Sequence, residues 1–191
     1  MNYYISDLHL FHPAALDFDK RPFNTIEEMN EEVLKNWNET VNNGDTVYIL
    51  GDISLKGNNE ELISLVARLR GKKILVKGNH DDLKDYRYKQ LFEEVCDYKE
   101  VTDSVDGVNK KLVLFHYPIY SWKGMRSGTI LLYGHTHNST EDELYQKALK
   151  ELYQTGSIHT PDKEIKAYNV GCMKPWINYT PRTLKEIVNY Q

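Results

Sequence analysis

Five short polar motifs lie along this chain, and each directly follows an apolar run with the length and composition of a buried strand. In order they are Asp7-Leu8-His9, Gly51-Asp52, Gly78-Asn79-His80-Asp81, His116 and Gly134-His135-Thr136-His137. Loops at the carboxyl ends of neighbouring strands converge on one region of a sheet. The ordered motifs therefore predict that polar side chains far apart in sequence meet at a common rim.

These motifs offer carboxylates, imidazoles and one amide, without a thiolate. Such nitrogen and oxygen donors favour Mn, Fe, Co, Ni or Zn over a structural cysteine-type zinc site. A glycine stands immediately before Asp52, Asn79 and His135, where it lets the backbone turn and approach a metal closely. Each motif alone has an ordinary explanation, such as a turn, or a core histidine for His116. The complete ordered set indicates a site for two metal ions.

The first half of the chain alternates strands and helices. Strands are predicted over 2–6, 46–50 and 73–76, and helices over 26–41, 59–70 and 83–92. Thr25 and Glu28 have the spacing of a capping box, and the apolar side chains that follow recur at helical steps. This alternation implies parallel strands with crossover helices.

The second half is richer in strands, predicted over 98–102, 112–115, 129–133 and 165–170, followed by a tail. A charged helix is predicted over 141–153, with Leu144, Ala148, Leu149 and Leu152 packed inward. Strand-rich sequence implies antiparallel additions to the sheets. We expect one domain over residues 1–191, made of two packed sheets flanked by helices.

Composition bounds the class of protein. The chain has 191 residues, of which 40% are hydrophobic and 27% charged, as in ordinary globular proteins. A net charge of −4 argues against a large nucleic-acid-binding face. It does not exclude a nuclease, because bound cations would add positive charge at the site. Cys96 and Cys172 are interpreted as reduced thiols. We expect a cytoplasmic protein without a membrane partner, because neither a secretory signal nor an apolar run of ~20 residues is apparent.

The ordered motifs resemble those of the calcineurin-like metallophosphoesterase superfamily, and every motif position is filled. Three further segments look like its small stand-alone bacterial and phage members: Arg21-Pro22-Phe23, His116-Tyr117-Pro118 and Asn169-Val170-Gly171. This resemblance implies an α/β fold, a four-layer α/β/β/α sandwich of two mixed sheets flanked by helices. It also implies two divalent ions, with Mn expected first and Fe, Zn, Ni or Co as alternatives.

The resemblance assigns the ligands residue by residue. One ion would take Asp7, His9, Asp52 and His137, and the other would take Asp52, Asn79, His116 and His135. Asp52 would bridge, because a carboxylate can offer one oxygen to each ion.

A phosphate-ester hydrolase follows from this assignment. A metal-bridging hydroxide would attack phosphorus in line, with His80 as the general acid and Asp81 orienting its ring. The substrate would be a phosphomonoester or phosphodiester, and the short chain favours a nucleotide-like molecule or a short oligonucleotide end. Residues 51–57 lack the arginine of the protein-phosphatase signature, which argues against that class. The rival hypotheses are a non-catalytic protein-binding scaffold and a metal-dependent hydrolase of another bond type.

Three residues are candidate substrate contacts. His12 either faces the site or is a loop histidine bonded to backbone. Arg21 could grip phosphate with two hydrogen bonds. Tyr117, with Tyr120 and Trp122, would either form a base-stacking wall or pack in the rim. Lys123 and Arg126 would either contact a phosphate or be ordinary surface charge, and we favour surface charge. The oligomeric state is left open.

Overall fold

The computed structural model describes residues 1–55, 59–155 and 165–190, and two four-stranded sheets lie at its centre. The first sheet has the strand order β1-β2-β3-β4, and all neighbouring strands are parallel. Its strands are β1 (Asn2–Ile5), β2 (Thr46–Ile49), β3 (Lys72–Val76) and β4 (Glu94–Cys96). Parallel neighbours bring the ends of β1, β2 and β3, and the motifs that follow them, to one edge.

The second sheet has the order β5-β6-β7-β8. Its strands are β5 (Tyr98–Val105), β6 (Val108–Phe115), β7 (Ile130–Tyr133) and β8 (Ala167–Asn169). β5 and β6 form an antiparallel hairpin, whereas the other pairs are parallel. Mixed strand directions therefore occur in the second sheet, as expected, while the first sheet is wholly parallel.

The α-helices of the described residues are α1 (Ala14–Phe18), α2 (Ile26–Thr40), α3 (Glu60–Arg68), α4 (Tyr86–Lys89), α5 (Thr140–Gln154) and α6 (Leu184–Asn189). α2 begins as predicted, because the Thr25 side chain accepts the Glu28 N–H. The Glu28 carboxylate instead accepts the Asn24 N–H, so the predicted reciprocal bond is wrong. The complete capping box lies at α6. Among the described helices, none has the length and apolar character of a membrane-spanning segment.

Alternating side chains on β6 and β7 join the layers. Leu112, Leu114, Ile130 and Leu132 belong to the main core with the first sheet, α2 and α3. Val113, Leu131 and Tyr133 point the other way and pack with Tyr145 and Leu149 of α5. This period-two alternation gives two sheets face to face with helices outside, which confirms the predicted layers.

Several local predictions are corrected by tertiary contacts. Leu149 is buried and Leu152 packs beside it, as predicted, but Leu144 is 61% exposed, and Asp142 and Tyr145 join Leu149 on the inward face of α5. Only Tyr86–Lys89 is helical within 83–92, and the chain then forms β4, at Glu94–Cys96, by pairing with β3. α1 and α6 replace an expected loop and tail. These elements are short, and pairing and burial decide their conformation more than local propensity does.

The C-terminal segment lies along the edge of β1 and connects the two sheets next to the first polar motif. Ser6 N–H donates to the Val170 carbonyl at 2.8 Å, and Cys172 N–H donates to the Ser6 carbonyl at 2.8 Å. Both sheets therefore fix the backbone immediately before Asp7.

Two leucines with opposite burial test this layering. Leu132→Ala removes a fully buried side chain between the sheets and should lower the free energy of unfolding by about 2–5 kcal/mol. Leu144→Ala removes the same atoms from a largely exposed position and should change the free energy of unfolding by less than about 0.5 kcal/mol. Urea unfolding of both variants measures the difference, and similar losses in the two would contradict the arrangement.

Candidate metal centre

The polar motifs form sharp turns at the strand ends, with unusual backbone angles. Five of the predicted ligands have left-handed φ angles between 49° and 70°: Asp7, His9, Asp52, His135 and His137. Residues other than glycine rarely adopt this region, and each costs on the order of 1–3 kcal/mol. Such strain persists only where surrounding contacts impose it, and here it coincides with the predicted ligand positions.

The first group of candidate ligands contains Asp7, His9 and His137, whose donor atoms all lie within 4.8 Å of one another. His9 Nε2 is 3.2 Å from His137 Nε2, and His137 Nε2 is 3.5 Å from Asp7 Oδ1. Two ring nitrogens and a carboxylate oxygen thus face one point.

The second group contains Asp52, His116 and His135, again within 4.8 Å. Asn79 Oδ1 adjoins it, 3.1 Å from His116 Nε2. Asp52 Oδ2 lies 3.5 Å from His116 Nε2 and 3.9 Å from His9 Nε2, so it stands between the two groups. This position is what a bridging carboxylate requires.

The electrostatics of the first group fit a bound cation. Burial, with a contribution from Asp52, raises the pKa of the fully buried Asp7 carboxyl. A positive charge nearby would keep this carboxylate ionised. Burial and the neighbouring His137 lower the pKa of His9 to about 2, so its imidazole is neutral and keeps a lone pair for a metal. The donors and their protonation states therefore suit divalent ions.

Two glycines allow the ligand loops to approach each other. A Cβ built on Gly78 would overlap the Asp52 carboxylate, and one built on Gly134 would overlap Ser6 Oγ and Asp7 Oδ2. The Asp7 carboxylate accepts the His135 N–H at 3.1 Å and the Ser6 hydroxyl at 2.5 Å. The close backbone approach expected from the sequence is present at both positions.

A buried carboxylate in the first turn of α5 supports the loop from His135 to His137. Asp142 accepts hydrogen bonds from Thr136, Tyr133, Asn169 and Lys174 at 2.7–3.0 Å. Burial opposes ionisation, but the Lys174 ammonium and the other donors outweigh it and hold the pKa of Asp142 below its usual value. Thr136 stands between the two histidines, so this contact fixes both of them.

The two predicted catalytic residues differ in their surroundings. His80 is exposed, its ring centroid lies 5.8 Å from that of His9, and its backbone N–H donates to Asp52 Oδ1 at 3.0 Å. The hydrogen bonds of the Asp81 carboxylate go to backbone rather than to the His80 ring: it accepts the N–H groups of Gly78, Asp52 and Ile53 at 2.8–3.0 Å. Asp81 therefore joins the loops after β2 and β3, which corrects its expected orienting role.

Arg21 is also corrected. Its side chain is fully buried, and it donates to the carbonyl oxygens of Leu8 and Asp7 and to the Asp19 carboxylate. With these partners inside the protein, Arg21 cannot reach a substrate phosphate.

Of the other substrate candidates, His12 and Tyr117 lie beside the two groups. The His12 ring is 5.5 Å from the His9 ring, and the Tyr117 ring is 4.6 Å from the His135 ring. Trp122 is buried and donates to the Thr129 carbonyl, while Tyr120 packs on Tyr145, so the contacts of these two aromatics lie away from the ligands.

Two residues next to the centre are not indicated by any pattern in the sequence. The Asp19 carboxylate contacts His137 Nδ1 at 2.9 Å, and the half-exposed Phe18 ring lies 5.4 Å from the His137 ring. The hydrogen bond with Asp19 overcomes burial and raises the pKa of His137. Both residues lie in a loop and a one-turn helix without periodic pattern, so only the tertiary fold reveals them.

The chain belongs to the calcineurin-like phosphoesterase family, whose profile matches residues 3–160. An uncharacterized protein of Methanocaldococcus jannaschii, MJ1445, is 34% identical over 142 residues, covering 74% of this chain and 72% of that protein. The Gene 66 protein of Mycobacterium phage D29 is 30% identical over 158 residues, covering 71% and 78%. A crystal structure of a protein of unknown function from Aquifex aeolicus, AQ665, superposes with a TM-score of 0.63 and 25% identity over 100% of this chain and 99% of that one.

The contact at Gly78 generates a matched pair of variants. Gly78→Ala should displace the Asp52 carboxylate and weaken Mn²⁺ binding about tenfold or more, because ligand orientation governs affinity. Gly44→Ala adds a methyl group where nothing lies within 4 Å, and affinity should be unchanged. Calorimetric titration of the chelator-treated proteins measures both, and wild-type affinity in Gly78→Ala would contradict the tight approach.

Proposed function

We propose that this chain hydrolyses phosphomonoesters or phosphodiesters by means of two divalent metal ions. The observation that carries this proposal is the position of Asp52 Oδ2, 3.9 Å from His9 Nε2 and 3.5 Å from His116 Nε2. One buried carboxylate can be a ligand in both groups of nitrogen and oxygen donors only if it lies between the two groups. Family membership supports the same chemistry.

The ligand roles follow the two groups. Asp7, His9, Asp52 and His137 would hold one ion, and Asp52, Asn79, His116 and His135 the other. Mn²⁺ is our first candidate, and Fe, Zn, Ni and Co suit the same donors. When bound, such ions supply Lewis acidity towards a phosphoryl oxygen and a water that is nucleophilic near neutral pH.

His80 is the proposed general acid. Its side chain is exposed beside His9, where it can reach the oxygen of a departing group, and Asp52 holds its backbone N–H. Protonation of that oxygen would matter most for leaving groups that are poor as anions. In this proposal Asp81 acts indirectly, because its three backbone hydrogen bonds hold the loop that carries His80.

The substrate proposed is small and nucleotide-like, such as a nucleotide, a cyclic nucleotide or a short oligonucleotide end. Two aromatic rings support this choice. Phe18 is 53% exposed beside the first group, and Tyr117 adjoins the second, so bases could stack at either side. The net charge of −4 favours a small ligand over a long polyanion.

Removing the proposed acid tests the mechanism. His80→Ala should keep both metal ions and slow hydrolysis of alkyl phosphate esters by ~10²–10⁴-fold, because the alkoxide then leaves unprotonated. Esters of 4-nitrophenol should lose much less, since that anion is a good leaving group.

Steady-state rates with both ester types, together with the metal content of each protein, provide the measurement. A screen of mono- and diesters with the Mn²⁺-loaded wild type comes first. An unchanged rate of alkyl-ester hydrolysis in His80→Ala would exclude His80 as the general acid. An inert wild type that holds no metal would instead favour the scaffold hypothesis.

A further inference from the structure

We propose that Asp19 and Arg21 are positioning residues that set the metal affinity of the first group, through His137. This inference rests on the metal-binding part of the proposed function and on no assumption about substrate. Asp19 is not one of the candidate ligands. Its buried carboxylate should nevertheless change the affinity for one of the two ions.

Asp19 contacts His137 directly. Both carboxylate oxygens of Asp19 lie 2.9 Å from His137 Nδ1. A carboxylate can only accept here, so Nδ1 carries the proton and donates it. The other ring nitrogen, Nε2, then presents its lone pair towards Asp7 and His9. Asp19 thereby fixes both the orientation and the tautomer needed for metal binding.

Arg21 in turn holds the Asp19 carboxylate in place. The Nε and Nη2 atoms of Arg21 donate to Asp19 Oδ2 at 2.9 and 2.7 Å. The two side chains are 0% and 3% exposed, so water does not screen the pair. The same guanidinium donates to the carbonyl oxygens of Asp7 and Leu8 at 2.9 and 2.7 Å. One buried cation therefore ties the Asp19 carboxylate to the backbone of a metal ligand.

The second group differs from the first in what orients its histidine. There His116 Nδ1 lies 2.8 Å from the carbonyl oxygen of Leu50, a neutral acceptor. A carboxylate forms the stronger hydrogen bond and raises the basicity of the coordinating nitrogen more. The first group also contains Asp7 in addition to the shared Asp52, whereas Asn79 in the second is uncharged. The first position should therefore bind a divalent ion more tightly, and loss of Asp19 should weaken that position selectively.

Titration of the full chain with Mn²⁺, after chelator treatment, tests this selectivity. The wild type should show a tight and a weaker binding step. Asp19→Ala should weaken the tight step about 10- to 100-fold and leave the weaker step nearly unchanged. Asp19→Asn keeps an acceptor oxygen and should lose less. The matched control is Asp17→Ala, which removes an exposed carboxylate from α1, two residues before Asp19, and should alter neither step.

A second readout separates positioning from simple support of the fold. In the full chain loaded with Zn²⁺ as a diamagnetic probe, ¹⁵N shifts should assign the Nδ1–H tautomer to His137. The Nδ1 proton should be protected from exchange with water in the wild type and in Asp17→Ala, because Asp19 accepts it, and should exchange much faster in Asp19→Ala. Asp19→Asn provides the same comparison with a milder change if the alanine variant folds poorly.

The outcomes are distinct. If the wild type and Asp19→Ala both bind two ions, and each binding step has the same affinity in both proteins, this inference is overturned. The proposed function would then still stand. An Nε2–H tautomer in the wild type would also overturn it. A wild type that binds no Mn²⁺ would overturn the proposed metal centre and this inference together.

Discussion

Two buried carboxylates, Asp7 and Asp52, impose the main constraint on this structure. Each is at most 1% exposed, and both lie where the ends of the two sheets meet. An ionised carboxylate is costly to bury unless positive charge or hydrogen-bond donors compensate. The backbone adopts unfavourable left-handed angles at five candidate ligands, and it approaches closely at Gly78 and Gly134. Both features bring donor atoms to the two carboxylates. A pair of divalent cations is the compensation that the arrangement best fits.

Three carboxylates outside the candidate ligand set hold the loops of this site in place. Asp81 joins the loops after β2 and β3, Asp142 fixes Thr136 between two histidines, and Asp19 orients His137. Asp142 and Asp19 are each paired with a buried cation, Lys174 and Arg21. Ligands held by such contacts need little reorganisation when a metal binds. The rigidity of this centre thus comes from the surrounding loops as much as from the ligands.

The elements that the sequence predicts well are those with strong periodic patterns. The apolar steps from Ile26 to Trp37 specify α2, and the β-branched and aromatic runs before Asp52 and Gly78 specify β2 and β3. The candidate ligands can be predicted because their motifs follow such runs. The layering also follows from pattern, since β6 and β7 alternate between two cores.

What the sequence cannot specify depends on contacts between distant segments. β4 is a strand only because it pairs with β3, and Leu144 is exposed because Asp142 and Tyr145 occupy the inward face of α5. Arg21 has the chemistry of a phosphate ligand, but burial assigns it to Asp19 and two carbonyl oxygens. Asp81 likewise has the chemistry to orient His80, yet three backbone N–H groups take its oxygens. Residue type and spacing indicate what a side chain can do, and tertiary packing decides which partner it has.

The most direct test of this account is the number of Mn²⁺ ions bound per chain in the wild type and in Asp52→Asn, measured by elemental analysis after equilibrium dialysis. One carboxylate placed between both groups predicts two ions in the wild type and the loss or disorder of both in the variant. Asp97→Asn, which changes a carboxylate that is 80% exposed, should keep two ions. Full occupancy of both positions in Asp52→Asn would contradict the shared-carboxylate centre.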